Sequence, residues 1–168
     1  MRSLLLPALL CLSAACASTP AATPPVSEFV LVRHAEKGND DPRDPHLSAA
    51  GQARAQRLAS DLGKGKLVAV YSTDYRRTRE TAQPSADAHR LTLTIYNAQS
   101  PPAELAARLR SDHPQGRVLV VGHSNTVPQL AAALCGCEVA PMAEDEFDRR
   151  IGIAFDAQGR ATLSQTRY

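Results

Sequence analysis

The chain contains no tryptophan, and aromatic residues make up only 4% of its 168 positions. Nucleic-acid surfaces are built from basic stripes with interleaved aromatics, and neither is present here. Charge of one sign is also missing: Lys+Arg total 19 against Asp+Glu 17. No apolar run after the amino terminus is long enough to span a bilayer. Cysteine is scarce, with four in all, and only Cys135 and Cys137 fall outside the amino-terminal leader. No second cysteine pair stands at zinc-like spacing, so a metal site is not expected. A disulfide between two cysteines with one residue between them is strained, although an oxidising compartment allows it. The length suits one domain with a substantial core.

Residues 1–17 read as a leader rather than as part of the fold. Arg2 supplies the positive start, Leu4 to Ala15 the apolar stretch, and Ala15-Cys16-Ala17 the small residues of a signal-peptidase site. Cleavage after Ala17 would send the mature chain to the periplasm or outside the cell. The alternative is a lipoprotein signal, cut before Cys16 and acylated there, although Ser13 stands where such signals carry Leu. Residues 18–27, rich in Pro, Thr and Ala, read as a flexible tether. The domain is then residues 28–168.

Within the domain, Phe29-Val30-Leu31-Val32 stops abruptly at Arg33-His34. A short uncharged run rich in β-branched and aromatic residues reads as a buried strand of a parallel sheet. Val118 to Val121 repeats the pattern and runs into Gly122-His123-Ser124-Asn125-Thr126. Two buried strands thus each deliver a histidine to their carboxyl end, the edge where open α/β sheets place ligands.

Between them lie a polar loop with Pro42 and Pro45, a helix capped by Ser48 and stopped near Gly63, and a strand over Leu67 to Tyr71. A helix carrying Arg76 and Arg77 is expected to run to about Pro84. A strand over Leu91 to Tyr96 follows, and then a helix opening at Pro101-Pro102. After His123 come a helix with a Val127, Leu130, Ala131, Leu134 stripe and a hairpin of Ile151–Phe155 with Ala161–Ser164. Strands alternating with helices predict a three-layer α/β sandwich around a mostly parallel sheet. Tyr168 and Arg149-Arg150 read as ordinary surface.

The expected chemistry follows from the side chains at the sheet edge. Arg33, His34, Arg77 and His123 form a compact cationic pocket, and a guanidinium fork matches phosphate better than an ammonium does. The turn opening a helix at Thr126 adds free N–H groups that favour an anion. A neutral imidazole flanked by cations is a competent nucleophile for phosphorus. The arginines supply the charge, so no metal or other cofactor is called for.

These residues carry a family resemblance. Arg33-His34-Ala35-Glu36 resembles the Arg-His-Gly/Ala signature of the histidine phosphatase superfamily, the phosphoglycerate mutase-like proteins. Ser72 to Ala82 is similar to its second block, Gly122 to Thr126 to the block holding the second histidine, and Asp44 to Ser48 with Gly51 to the loop leading into the first helix. The resemblance implies a phosphoglycerate mutase-like fold and a small, minimal member without a large insert. It implies a phosphomonoester hydrolase with His34 as the phosphorylated nucleophile and Arg33, Arg77 and His123 holding the phosphoryl group. A small-molecule phosphomonoester is the expected partner. A phosphate-ligand binding module without turnover, or a phosphomutase, would use the same pocket. Ser124 stands where the acid phosphatase branch has an aspartate proton donor. Glu104, in the first turn of a helix, is therefore the expected donor, ahead of Glu36 and more distantly Glu144-Asp145-Glu146. A serine-hydrolase reading of Gly122-His123-Ser124 fails, because Thr126 replaces the required glycine and no histidine follows Ser124.

Overall fold

A computed structural model describes residues 26–63 and 65–168. The leader and most of the tether read from the sequence lie outside the described residues. Six strands and four helices alternate: β1 (Ser27–Arg33), α1 (Ala49–Leu62), β2 (Leu67–Thr73), α2 (Arg76–His89), β3 (Leu93–Tyr96), α3 (Pro102–Asp112), β4 (Gly116–Gly122), α4 (Thr126–Cys135), β5 (Arg149–Phe155) and β6 (Ala161–Arg167). The sheet order is β3-β2-β4-β1-β5-β6. The first four strands in that order are parallel, and β5 and β6 close the sheet as an antiparallel hairpin.

The central strands bury both faces, so their sequences run apolar without alternation. Phe29 and Leu31 of β1 join Val118 and Val120 of β4 against α3 and α4 through Leu105, Leu109, Leu130 and Leu134. Val30, Val32, Leu119 and Val121 point the other way, onto Leu58 and Leu62 of α1 and Ala82 and Ala86 of α2. The result is the expected three-layer sandwich. Each fully buried Leu or Phe contributes about 1.5–3 kcal/mol over its exposed state.

Local chemistry sets the helix ends. Ser48 caps α1 by accepting the Gly51 backbone N–H at 3.1 Å. A Cβ on Gly51 would stand 2.1 Å from the Glu36 carbonyl oxygen, so only glycine lets α1 lie against the chain that leaves β1. Helix α2 does not stop near Pro84 but continues to His89. A proline there removes one helix hydrogen bond and costs about 3 kcal/mol in an isolated helix. The face of Thr78, Thr81, Ala82, Ser85 and Ala86 is buried on both sides of Pro84, and that packing carries the helix through. Strand β3 is accordingly shorter than read, starting at Leu93 after Arg90 turns the chain in the left-handed region at φ 57°.

Two residues read as surface are structural. Arg149 is only 9% exposed and donates to the carbonyls of Ala140 and Pro141 and to Glu146. Tyr168 packs against the α1–α2 side of the core, and its carbonyl accepts from Arg54 at 3.1 Å. Cys135 and Cys137, whose oxidation the sequence left open, are joined as a disulfide at the end of α4. Among the described residues, no helix is long and apolar enough to cross a membrane.

Candidate active site

Register places the two histidines. Strands β1 and β4 are adjacent and parallel, with Arg33 opposite Gly122, so the next residue of each strand emerges at the same height. The His34 backbone N–H donates to the Gly122 carbonyl at 2.9 Å, and the two imidazole centroids lie 5.5 Å apart. A Cβ on Gly122 would come within 3 Å of both the Tyr96 hydroxyl and Thr126 Oγ1, so the turn presenting His123 requires glycine. Arg77 arrives from the first turn of α2, following β2 on the far side of β4. Arg33, His34, Arg77 and His123 line one open pocket of about 360 Å³ with Lys37, Tyr75, Gln99, Ser124 and Glu144.

The hydrogen-bond network assigns the proton positions. His34 Nδ1 lies 2.8 Å from the Ala35 carbonyl oxygen. A carbonyl can only accept, so Nδ1 carries the hydrogen and Nε2 keeps its lone pair. His123 Nε2 lies 3.0 Å from Thr73 Oγ1. Thr73 Oγ1 donates to Thr78 Oγ1 at 2.9 Å, and Thr78 Oγ1 donates on to the carbonyls of Thr73 and Tyr75. Because the relay ends in acceptors, it runs one way: His123 donates from Nε2 into Thr73. Thr81 ties the two halves of the pocket together, accepting the Ala35 N–H and donating to the Arg77 carbonyl.

Both arginines are held in place without being saturated. Arg77 lies 4.4 Å above the Tyr75 ring centroid, with Asp44 Oδ1 3.6 Å from its Nη1. Arg33 stacks 4.3 Å from the Phe147 centroid and donates to the carbonyls of Ala143 and Glu144 and to the Glu144 carboxylate. Arg77 Nη1 and Arg33 Nε are nonetheless buried with no hydrogen-bond partner in the protein. A buried donor left unpaired costs about 1–3 kcal/mol, which an anionic guest recovers. Arg76, by contrast, faces Asp44 and His46, outside the pocket.

Burial pushes the His34 pKa down to about 3, opposed by the Ala35 hydrogen bond and reinforced by Arg33, His123 and Arg77. Burial, then Arg77 and Arg33, lower His123 to about 4. Both imidazoles are therefore neutral at neutral pH. The unfolded chain takes up these two protons near pH 6.5, whereas the folded one resists them until about 3 to 4. The stability that depends on neutral histidines is complete above about pH 6.5 and drains away as pH falls toward 3. The expected outcome is a thermal midpoint that declines from pH 6.5 to 4, with a shallower decline in His34→Gln. Equal slopes in the two proteins would show that His34 does not titrate abnormally.

The expected proton donor is not at the site. Glu104 is exposed in the first turn of α3 and does not line the pocket, where its carboxylate complements the helix dipole. Glu36 is bound through both carboxylate oxygens by Arg54, which holds its pKa below the usual range and keeps it ionised, without a proton to give. The carboxylate that reaches the pocket is Glu144, on the loop between α4 and β5. Ser124 Oγ donates to its Oε1 at 3.0 Å, and Arg33 Nη2 donates to its Oε2 at 3.3 Å. No short-range signal marks Glu144, which is 110 residues beyond His34 in a run of three acids. His46 pairs with Glu80 in a separate groove between α1 and α2. Among the described residues, no group of three or more His, Cys, Asp or Glu could hold a metal ion.

Residues 29–98 match the model of the histidine phosphatase superfamily, branch 1, a segment that carries Arg33, His34 and Arg77. Over that segment the chain is similar to the histidine phosphatase superfamily. Curated proteins yield no significant sequence match. Among solved structures, the chain is similar to the protein histidine phosphatase SixA complexed with tungstate, at 22% identity and TM-score 0.70, over 83% of this chain and 96% of that one. It is also similar to mycobacterial glucosyl-3-phosphoglycerate phosphatase, at 17% identity and TM-score 0.63, over 84% and 97% of the two chains. The fold shared with these structures runs past the matched segment, through β4 and the His123 turn to the closing hairpin.

Proposed function

We propose that the protein is a phosphomonoester hydrolase that works through a phosphohistidine on His34. The observation that carries this reading is the spent Nδ1 of His34, which leaves its Nε2 lone pair among Arg33, Arg77 and His123. In the first step Nε2 attacks phosphorus and the P–O ester bond breaks. The cations hold the equatorial oxygens as charge develops there. The leaving alkoxide takes a proton from Glu144. In the second step water attacks phosphorus, its proton returns to Glu144, and the P–N bond breaks to release inorganic phosphate. Atoms and charges balance over the cycle, and His34 ends as it began.

Glu144 accepts two hydrogen bonds, as a carboxylate does. A bound phosphoryl dianion places a further negative charge beside these groups. The same dianion stabilises His123 as an imidazolium that donates to phosphate through Nδ1 while Nε2 stays on Thr73.

Hydrolysis of para-nitrophenyl phosphate tests the reading directly. Vanadate, a mimic of pentavalent phosphorus, is expected to inhibit, and EDTA is expected to leave the rate unchanged because the arginines supply the charge. Absence of turnover, or full loss in EDTA, would overturn it.

The donor assignment has its own test. Glu144→Gln should slow an alkyl phosphate by about 10²–10⁴-fold, the usual worth of general acid catalysis, and an aryl phosphate far less. Equal slowing of both substrates would remove Glu144 from the mechanism.

A further inference from the structure

A second concavity of about 180 Å³ adjoins the phosphate pocket and has no part in the chemistry above. The two share Ala98, Gln99, Asn125 and Thr126, so they adjoin along one wall. Its composition differs sharply from that of the catalytic pocket. Four amide side chains, Asn97, Gln99, Asn125 and Gln129, stand around an apolar floor that includes Leu105 and Leu130, and the lining contains no Lys, Arg, Asp or Glu.

We propose that this cavity is the leaving-group subsite, and that it selects phosphomonoesters of a small, uncharged, polyhydroxylated alcohol: a short polyol or a single sugar ring. The inference rests on the hydrolase reading of the preceding section and adds the substrate class to it.

Three properties of the cavity carry the argument. Amides present a donor and an acceptor side by side, which matches vicinal hydroxyls, each of which also donates and accepts. Asn97 is fixed for this role, since its Oδ1 accepts the Gln99 backbone N–H at 2.9 Å. An anionic leaving group meets no counter-charge in this lining, whereas a hydroxyl finds both a donor and an acceptor. The volume is below the roughly 300 Å³ at which pockets for drug-sized ligands begin, which suits a guest of about one ring. The walls come from the β3–α3 connection and the start of α4, and Tyr96, hydrogen bonded to the Val121 carbonyl at 3.2 Å, fixes one against the other.

Glycerol 3-phosphate and 3-phosphoglycerate form a matched pair, because a carboxylate in the second replaces a hydroxymethyl group in the first. The full chain is expected to show a kcat/KM about 10-fold higher for glycerol 3-phosphate, the worth of the hydroxymethyl hydrogen bonds that a carboxylate without a counter-charge forfeits. Glucose 6-phosphate is expected to be at least as good a substrate. Gln129→Leu should raise the KM for both neutral substrates about fivefold, the worth of one hydrogen bond, without weakening product inhibition by inorganic phosphate, which reads the arginine cradle. Gln129→Lys should shrink the preference by supplying the missing counter-charge.

Turnover of para-nitrophenyl phosphate with equal or better use of 3-phosphoglycerate would overturn the subsite and leave the hydrolase standing. An unchanged substrate ratio in both Gln129 variants would do the same. No turnover of any ester, para-nitrophenyl phosphate included, would instead refute the hydrolase reading on which the subsite rests.

Discussion

His34→Ala is expected to lower turnover by on the order of 10⁴–10⁶-fold, the range seen when a covalent nucleophile is removed. The size of the effect follows from geometry. His34 is 4% exposed, its Nδ1 is committed to the Ala35 carbonyl, and Nε2 is its remaining reactive atom. Alkaline quenching of the wild-type protein with labelled substrate should trap an acid-labile phosphoryl group, and the same quench of His34→Ala should trap none. His123→Ala should still trap label, more slowly, because that imidazole is proposed to bind rather than attack. Label recovered on His123 in the wild-type protein would reverse the two roles.

Arg77→Lys should cost about 10²–10³-fold in kcat/KM, comparable to the loss of one transition-state donor. An ammonium keeps the charge but loses the planar fork, and with it the bidentate contact and the stacking on Tyr75. Arg77 Nη1 is buried without a hydrogen-bond partner, and Asp44 lies 3.6 Å from it, so lysine should relieve part of that cost and leave the thermal midpoint little changed. Loss of vanadate affinity with retained stability is therefore the expected signature. A kcat/KM within tenfold of wild type would show that Arg77 does not hold the phosphoryl group.

The two predictions differ in how far the sequence alone leads to them. Strand ends are local: the abrupt change from Val32 to Arg33-His34, and from Val121 to Gly122-His123, marks where burial stops. The run that precedes each change shows that both faces of the strand are covered. Helix starts are local too, as with Ser48, whose hydroxyl needs only the backbone three residues on. Helix ends are less so. Pro84 carries the local signature of a stop, yet the helix face of Ala82, Ser85 and Ala86 is buried on either side of it, and packing outweighs one lost hydrogen bond.

Glu104 and Glu144 mark the same divide inside the site. The place of Glu104 in a first turn near the sheet edge fixes the height of the residue but not the direction it faces. Glu144 was the most distant alternative, because nothing near it in sequence announces a pocket. Arg149, read as surface, is what holds its loop: the guanidinium binds the Ala140 and Pro141 carbonyls, and Arg33 binds those of Ala143 and Glu144.

By itself, then, the sequence determined the alternation of strands and helices, the three-layer class, and the delivery of Arg33, His34 and His123 to strand ends. Each of these depends on burial periodicity and steric preference over a few residues. Only the tertiary structure decided that β4 lies between β1 and β2, which places the two imidazoles side by side and Arg77 across from them. It also decided which carboxylate enters the pocket, and that amides rather than charges line the cavity beside it. Those outcomes depend on contacts between residues 50 to 111 positions apart, which form only once the whole core has packed and which no local pattern records.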